Sequence, residues 1–312
     1  MAWFFVVLGL VTLLLAGDFL VRAAVNLALR LGISALVVSL TVVAFGTSAP
    51  ELLIVLSAMA DDAPGLAMGN IVGSNTANIL LVLGLPALVA GLYTTGFDTK
   101  KVFIFMILAT VLFIILAFMG PFSWWHGGLM LAVLAAILLD QAWTARRVSR
   151  VAVATEDLNG VDTSMPGWKI TLYLLLGLVG LPLGAKVLVV NAEIIAREFG
   201  VPETAIGLTL IAVGTSLPEL ATTTVAAIRR QADVALGNVI GSNMFNLLAI
   251  IGIAALVGPI PVADEFLRFD LWVMLAASFL LIPFVFFGRN ITRIWGAALT
   301  LLYMAYLLVV LL

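Results

Sequence analysis

An all-α integral membrane fold is what this sequence predicts: ten transmembrane helices in two inverted repeats of five, with the second and seventh helices broken. Three observations lead there. The 312 residues are 63% hydrophobic and only 10% charged, with a mean hydropathy of +1.23, whereas a soluble domain is nearer half apolar and a quarter charged. The apolar residues run continuously over bilayer-crossing lengths, without the polar–apolar alternation of a transmembrane strand. And one half of the chain repeats the other.

Taken in order, spans are expected over roughly 2–20, 34–59, 69–91, 102–119, 124–143, 170–192, 203–227, 237–257, 270–287 and 291–311. The stretch from Met1 to Gly17 is apolar enough for a secretory signal but lacks a basic leader and a small-residue cleavage site, so it reads as the first helix. Only the segment from Arg146 to Lys169 has aqueous character, with Thr155, Glu156, Asp157, Asn159, Asp162 and Ser164. The expected division is therefore a first repeat over 1–145, a linker over 146–169 and a second repeat over 170–312.

The basic residues orient these spans. Arg22, Arg30, Lys100, Lys101, Arg146, Arg147, Arg150, Lys169, Arg229, Arg230, Arg289 and Arg293 fall on one side, against Arg197 and Arg268 on the other. Cytoplasmic connections carry the Lys/Arg excess, so both termini are expected outside and the linker in the cytoplasm. Asp61, Asp62, Asp264 and Glu265 then lie outside. A net charge of −2 without a basic cluster offers nothing to nucleic acid, and the absence of cysteine excludes disulfides and thiolate metal sites. The single histidine, His126, follows Trp124 and Trp125 at a span boundary and reads as part of an aromatic belt. Any bound metal must take oxygen ligands, which suits Na⁺, Ca²⁺ or Mg²⁺ and not zinc.

Shifting the sequence by 168 residues lays Leu40–Gly84 on Leu208–Gly252 without a gap, with about 19 of the 45 positions identical. Five spans per half is an odd number, so the second copy must sit upside down. Inverted repeats suit alternating access, because exchanging the conformations of the two halves turns an outward-open state into an inward-open one. A transporter is therefore expected before any motif is read.

The identities gather in two clusters. Leu40 to Glu51 reads LTVVAFGTSAPE and is answered by LTLIAVGTSLPE from Leu208 to Glu219. Glu51 and Glu219 each fall well inside an apolar span, where a bare carboxylate implies a bound cation, protonation or a watery cavity. Gly46 with Pro50, and Gly214 with Pro218, interrupt their helices and free backbone carbonyls at the same depth. The second cluster, GNIVGSNTAN from Gly69 to Asn78, is mirrored by GNVIGSNMFN from Gly237 to Asn246. In it Ser74 and Asn78, like Ser242 and Asn246, are four apart and share a helical face. The glycine pairs Gly69 with Gly73 and Gly237 with Gly241 admit a closely packed neighbouring helix.

On these residues the chain resembles the calcium/cation antiporter superfamily, the sodium/calcium exchangers, and in particular its short prokaryotic members. The resemblance spans nearly the whole chain through the paired GTSxPE and GSNxxN motifs. It implies that Glu51 and Glu219 hold the central cation with Thr47 and Thr215, and that Ser48, Ser216, Ser74, Ser242 and the carbonyls of Ala44 and Ala212 serve flanking Na⁺ sites. Asn78 and Asn246 would line the centre. Ca²⁺ and Na⁺ are then substrates; no cofactor, no chemical reaction and no obligate protein partner is implied. One departure matters: family members often carry an acidic residue where this chain has Asn246. Two carboxylates balance one Ca²⁺, two Na⁺ or two protons, and a third Na⁺ would be uncompensated. A proton-coupled or K⁺-dependent cation antiporter is accordingly the alternative.

Other readings fare worse. A channel is usually a ring of repeated elements about a central axis, which an inverted repeat in one chain does not make. An intramembrane enzyme built on Ser48 and Glu51 has no histidine or lysine placed to activate the serine. The polar repeat residues could be interhelical hydrogen-bond partners only, but their duplication favours ion ligands. Asp18 and Lys186, one repeat apart, read as helix-end charges or a packing pair, with gating as the alternative.

Overall fold

The computed structural model describes residues 1–93, 99–148, 165–200 and 212–311. The chain forms helices because in hydrocarbon every backbone N–H and C=O must be satisfied within its own segment. We number them α1 (Ala2–Leu31), α2 (Ala35–Thr47), α3 (Ala49–Ala60), α4 (Pro64–Ala90), α5 (Lys100–Phe118) and α6 (Trp124–Val148). There follow α7 (Gly167–Glu198), the short α8 (Ala212–Thr215), α9 (Leu217–Ile228), α10 (Ala232–Val257), α11 (Phe266–Phe286) and α12 (Arg293–Leu311).

Among the described residues eight helices are long and apolar enough to cross a membrane, or nine if α2 and α3, bent by 40° at their junction, count as one span. The expected span over 203–227 falls partly outside the described residues, as does most of the linker, including Arg150, Thr155, Glu156, Asp157, Asn159, Asp162 and Ser164. Several helices outrun their apolar cores. α1 continues through Arg22, Asn26 and Arg30 and stops at Gly32, whose φ of 67° is left-handed and ends the helix as glycine readily does.

The repeat is visible in local geometry. The left-handed turn at Gly32 recurs 168 residues later at Gly200 (φ 74°), that at Asp62 (φ 54°) recurs at Arg230 (φ 58°), and that at Gly120 recurs at Gly288. Contacts between the halves are similar in kind: Leu92 pairs its backbone with Ile291, and Ile260, the repeat equivalent of Leu92, pairs with Phe122, one residue before the equivalent of Ile291.

α4 and α10 form the centre, each with 83% of its apolar window buried. α10 packs along α2, α3 along α4, and α9 along α10. On the flank, α1 and α7 run against one another for most of their length. Small residues permit this approach: a Cβ on Gly9 would lie 2.7 Å from the amide nitrogen of Leu188.

Two expectations change. Asp18 does not pack against Lys186 but pairs with Arg22 at 2.8 Å and with Arg229 beyond the end of α9. His126 turns inward instead of facing an interface. It is buried, its Nδ1 accepts from the backbone N–H of Ser123 at 3.0 Å, and its ring lies against Trp125 with centroids 3.6 Å apart. The start of α6 leaves such N–H groups without intrahelical partners, and the imidazole takes one of them.

Candidate functional site

Both proline-bearing motifs break their helices at the same place. Ser48 and Ser216 have nearly identical non-helical dihedrals, φ −85° and ψ 1° against φ −86° and ψ 4°. Pro50 and Pro218 sit in the first turn of the helix that restarts, where a missing N–H costs nothing. The proline has no N–H for the carbonyl four residues back, so those of Gly46 and Gly214 lose their helical donor. Each restarted helix then carries a glutamate in its first turn, Glu51 on α3 and Glu219 on α9. A carboxylate is favoured there by the helix dipole.

Opposite each break lies the second cluster, on a helix interrupted by π-helical turns at Asn78–Val82 and Phe245–Ile250. Such wide turns are frequent at functional sites because they re-aim side chains. Here they begin at or beside Asn78 and Asn246. Gly241 lets α10 close on α2: a Cβ there would lie 2.5 Å from the carbonyl oxygen of Leu40.

Glu51 and Glu219 are fully buried and near enough to act electrostatically on one another. Around Glu219 the structure brings hydroxyls from α2, from the break after it and from α10. Ser48 Oγ donates to Glu219 Oε1 at 3.2 Å, and Ser242 Oγ donates to the same oxygen at 3.3 Å. Thr47 Oγ1 lies 3.3 Å from Ser242 Oγ and donates to Asn238 Oδ1 at 3.1 Å. Of the repeat-related contacts those of Thr47 recur at Thr215, with Ser74 Oγ 3.3 Å from Thr215 Oγ1 and Asn70 Nδ2 donating to it at 3.4 Å, whereas those to the glutamate do not. Across the centre Asn78 Nδ2 donates to Asn243 Oδ1 at 3.0 Å. The carbonyl of Ala44 accepts from the Ser48 N–H at 3.0 Å and from Thr47 Oγ1 at 3.3 Å, so it is engaged within its own helix. Ala212 opens α8.

What stands out is unspent acceptor capacity. Both carboxylate oxygens of Glu51, Glu219 Oε2, Ser216 Oγ, Asn78 Oδ1 and Asn246 Oδ1 are buried without a hydrogen-bond partner among the described residues, as is the donor Asn246 Nδ2. Buried polar atoms are nearly always paired, so these orphan oxygens are free to ligate a cation. No group of three or more Asp, Glu, His or Cys capable of holding a metal occurs among the described residues, so the donor set is two carboxylates with neutral oxygens. Hard cations such as Na⁺ and Ca²⁺ take oxygens of this kind.

Sequence reasoning overlooked the framing asparagines. Asn70 and Asn238 tie the two motifs together, and Asn75 and Asn243 cross-link the central helices through Asn243 Nδ2 donating to the Asn75 carbonyl at 3.4 Å. The signal was available, since both pairs are identical at the 168-residue offset.

Comparison with known proteins agrees. The family described as "Sodium/calcium exchanger protein" matches residues 1–143 and 169–312. The sodium/calcium exchanger MaX1 of Methanosarcina acetivorans is 34% identical over 336 aligned residues, covering 97% of this chain and 96% of that protein. The inner membrane protein YrbG of Escherichia coli is 34% identical over 277 residues, covering 87% of this chain and 85% of its own. A solved structure of the sodium-calcium exchanger NCX_Mj, soaked with 2.5 mM Na⁺ and 0.1 mM Ca²⁺, superposes with a TM-score of 0.81 at 31% identity, over 97% of this chain and 96% of that one. Matched by the family model over nearly its whole length and by relatives at 30% identity or more, this chain belongs to the sodium/calcium exchanger family of membrane cation antiporters.

Proposed function

We propose that this chain exchanges Ca²⁺ for Na⁺ across a prokaryotic inner membrane by alternating access. Ten helices would act as two inverted repeats, 1–145 and 170–312, with residues 146–169 as a cytoplasmic linker and both termini outside. The carrying observation is the pair of buried carboxylates, Glu51 and Glu219, with partnerless oxygens on both. Ca²⁺ takes six to eight oxygens. Two bidentate glutamates supply about four, and threonine carbonyls at the breaks with water supply the rest.

In this scheme Thr47 and Thr215 assist the central cation, and Ser48, Ser216, Ser74 and Ser242 serve flanking Na⁺ together with the carbonyls of Ala44 and Ala212. Asn78 and Asn246 line the centre. Na⁺ and Ca²⁺ compete for overlapping ligands. The empty site carries two unpaired negative charges, which resist transfer between states, so exchange is favoured over leak. No chemical step and no cofactor is needed, and the ions are the only obligate partners.

The two neutral asparagines favour one second reading. Without a third carboxylate in the site a third Na⁺ is uncompensated, as it would not be with an acid at Asn246. Proton-coupled or K⁺-dependent exchange is therefore the alternative. Purified protein in Na⁺-loaded liposomes decides the matter. Ca²⁺ uptake that requires the outward Na⁺ gradient is expected; uptake that follows only a pH gradient, or that needs K⁺, would replace Na⁺ as the coupling ion.

A further inference from the structure

The ion pair between α1 and the end of α9 has a counterpart in the sequence with its charges exchanged. Asp18 and Lys186 are one repeat apart, and so are Asp61 and Arg229. Asp18 with Arg229 therefore corresponds to Lys186 with Asp61, acid replaced by base at both ends. Both pairs would attract, yet only one is made. Asp18 and Arg229 are half-buried and joined, whereas Lys186 and Asp61 are exposed and have no ion-pair partner among the described residues.

The helix packing has the same asymmetry. α1 lies along α9, where a Cβ on Gly17 would be 3.3 Å from the Ala221 carbonyl. The equivalent pair, α7 and α3, meets only marginally. Between them is a cavity of about 220 Å³ lined by Pro50, Ile54, Lys186 and Val189. Ile54 also borders a second cleft, of about 260 Å³, that reaches Asp61. α1 and α7 are packed together along their length, so a withdrawal of α1 from α9 would take α7 with it, and the cavity leaves room for it to approach α3.

We propose that these two ion pairs are alternating latches: Asp18–Arg229 holds the α1–α7 unit in the present conformation, and Lys186–Asp61 replaces it in the opposite-facing one. The inference rests on the alternating-access reading. By the positive-inside assignment the pair now made lies toward the cytoplasm, so this conformation is closed inside. Arg22, one turn from Asp18, keeps that carboxylate partnered when Arg229 withdraws.

The chain has no cysteine, so a single introduced one reports alone. In an Ile54→Cys background, labelling from the Asp61 side by a membrane-impermeant maleimide is expected to slow about fivefold in Asp18→Asn and in Arg229→Gln. The exchanged pair Asp18→Arg with Arg229→Asp should restore the rate, and Lys186→Met or Asp61→Asn should leave it equal or faster. Rates unchanged across all these variants would overturn the latches. Should Asp18→Asn fail to fold, the double variant Lys186→Cys with Asp61→Cys tests the other latch directly. An oxidative cross-link that halts ion flux and reverses on reduction supports it, and continued flux with no cross-link overturns it. The labelling is independent of which ion is carried. A latch response without Na⁺-driven Ca²⁺ uptake would therefore count against the proposed coupling and not against the latches.

Discussion

Glu51 and Glu219 are chemically identical and occupy equivalent positions, yet their surroundings differ. Glu219 receives the hydroxyls of Ser48 and Ser242, while both oxygens of Glu51 are without partners. An unpartnered carboxylate deep in a membrane protein costs about 3 kcal/mol or more, a cost that the proposed cation would offset. Glu51→Gln and Glu219→Gln are each expected to abolish Ca²⁺ flux while the protein elutes from size exclusion as wild type does; unchanged rates in both would remove them from the site. Ser48→Ala and Ser242→Ala each take one charge-assisted hydrogen bond from Glu219. A loss of about 1.5 kcal/mol, roughly tenfold in apparent cation affinity, is expected in a flux titration. Asn246→Asp places a third carboxylate among the orphan atoms and should raise cation affinity or alter the coupling ratio, read as charge moved per Ca²⁺ in a voltage-clamped vesicle assay.

At the scale of the element, the helix breaks make the site. Proline at the restart satisfies the local backbone rule and also releases the carbonyl four residues back, so one substitution places both a kink and an acceptor at mid-depth. The breaks were legible in the sequence, since Pro50 and Pro218 lie inside apolar runs. The π-helical turns were not: nothing in the composition of Asn78–Val82 or Phe245–Ile250 departs from an ordinary apolar helix, because the extra residue is absorbed by neighbouring helices. Close approach of α10 to α2 depends on Gly241. Gly241→Val drives side-chain carbons into the Leu40 carbonyl and the Ala44 methyl. A destabilisation of about 1–3 kcal/mol is expected from such overpacking, read as a lower midpoint in thermal unfolding.

Across the whole molecule the two halves share their deepest contacts. Thr47 on α2 meets Ser242 and Asn238 on α10, and Thr215 on α8 meets Ser74 and Asn70 on α4. A cation held between the halves is therefore linked to the folding of both. Ca²⁺ at a hundred times its Kd is expected to add about 2.7 kcal/mol to stability, raising the midpoint of thermal unfolding in wild type but not in Glu51→Gln. An equal rise in both would place Ca²⁺ elsewhere.

The sequence by itself determined the membrane class, the helix-breaking motifs and the repeated polar residues. Each follows from local rules: hydrocarbon demands long apolar helices, proline cannot continue one, and a 168-residue offset brings like residues into register. Only the tertiary structure decided which repeated residues face one another. It set Asp18 against Arg229 and not Lys186, turned His126 inward, and engaged Glu219 while leaving Glu51 bare. The repeat gives the two halves like residues at many like positions, and the folded chain places them in different surroundings. How those surroundings differ is a property of packing between distant segments, which no local pattern encodes.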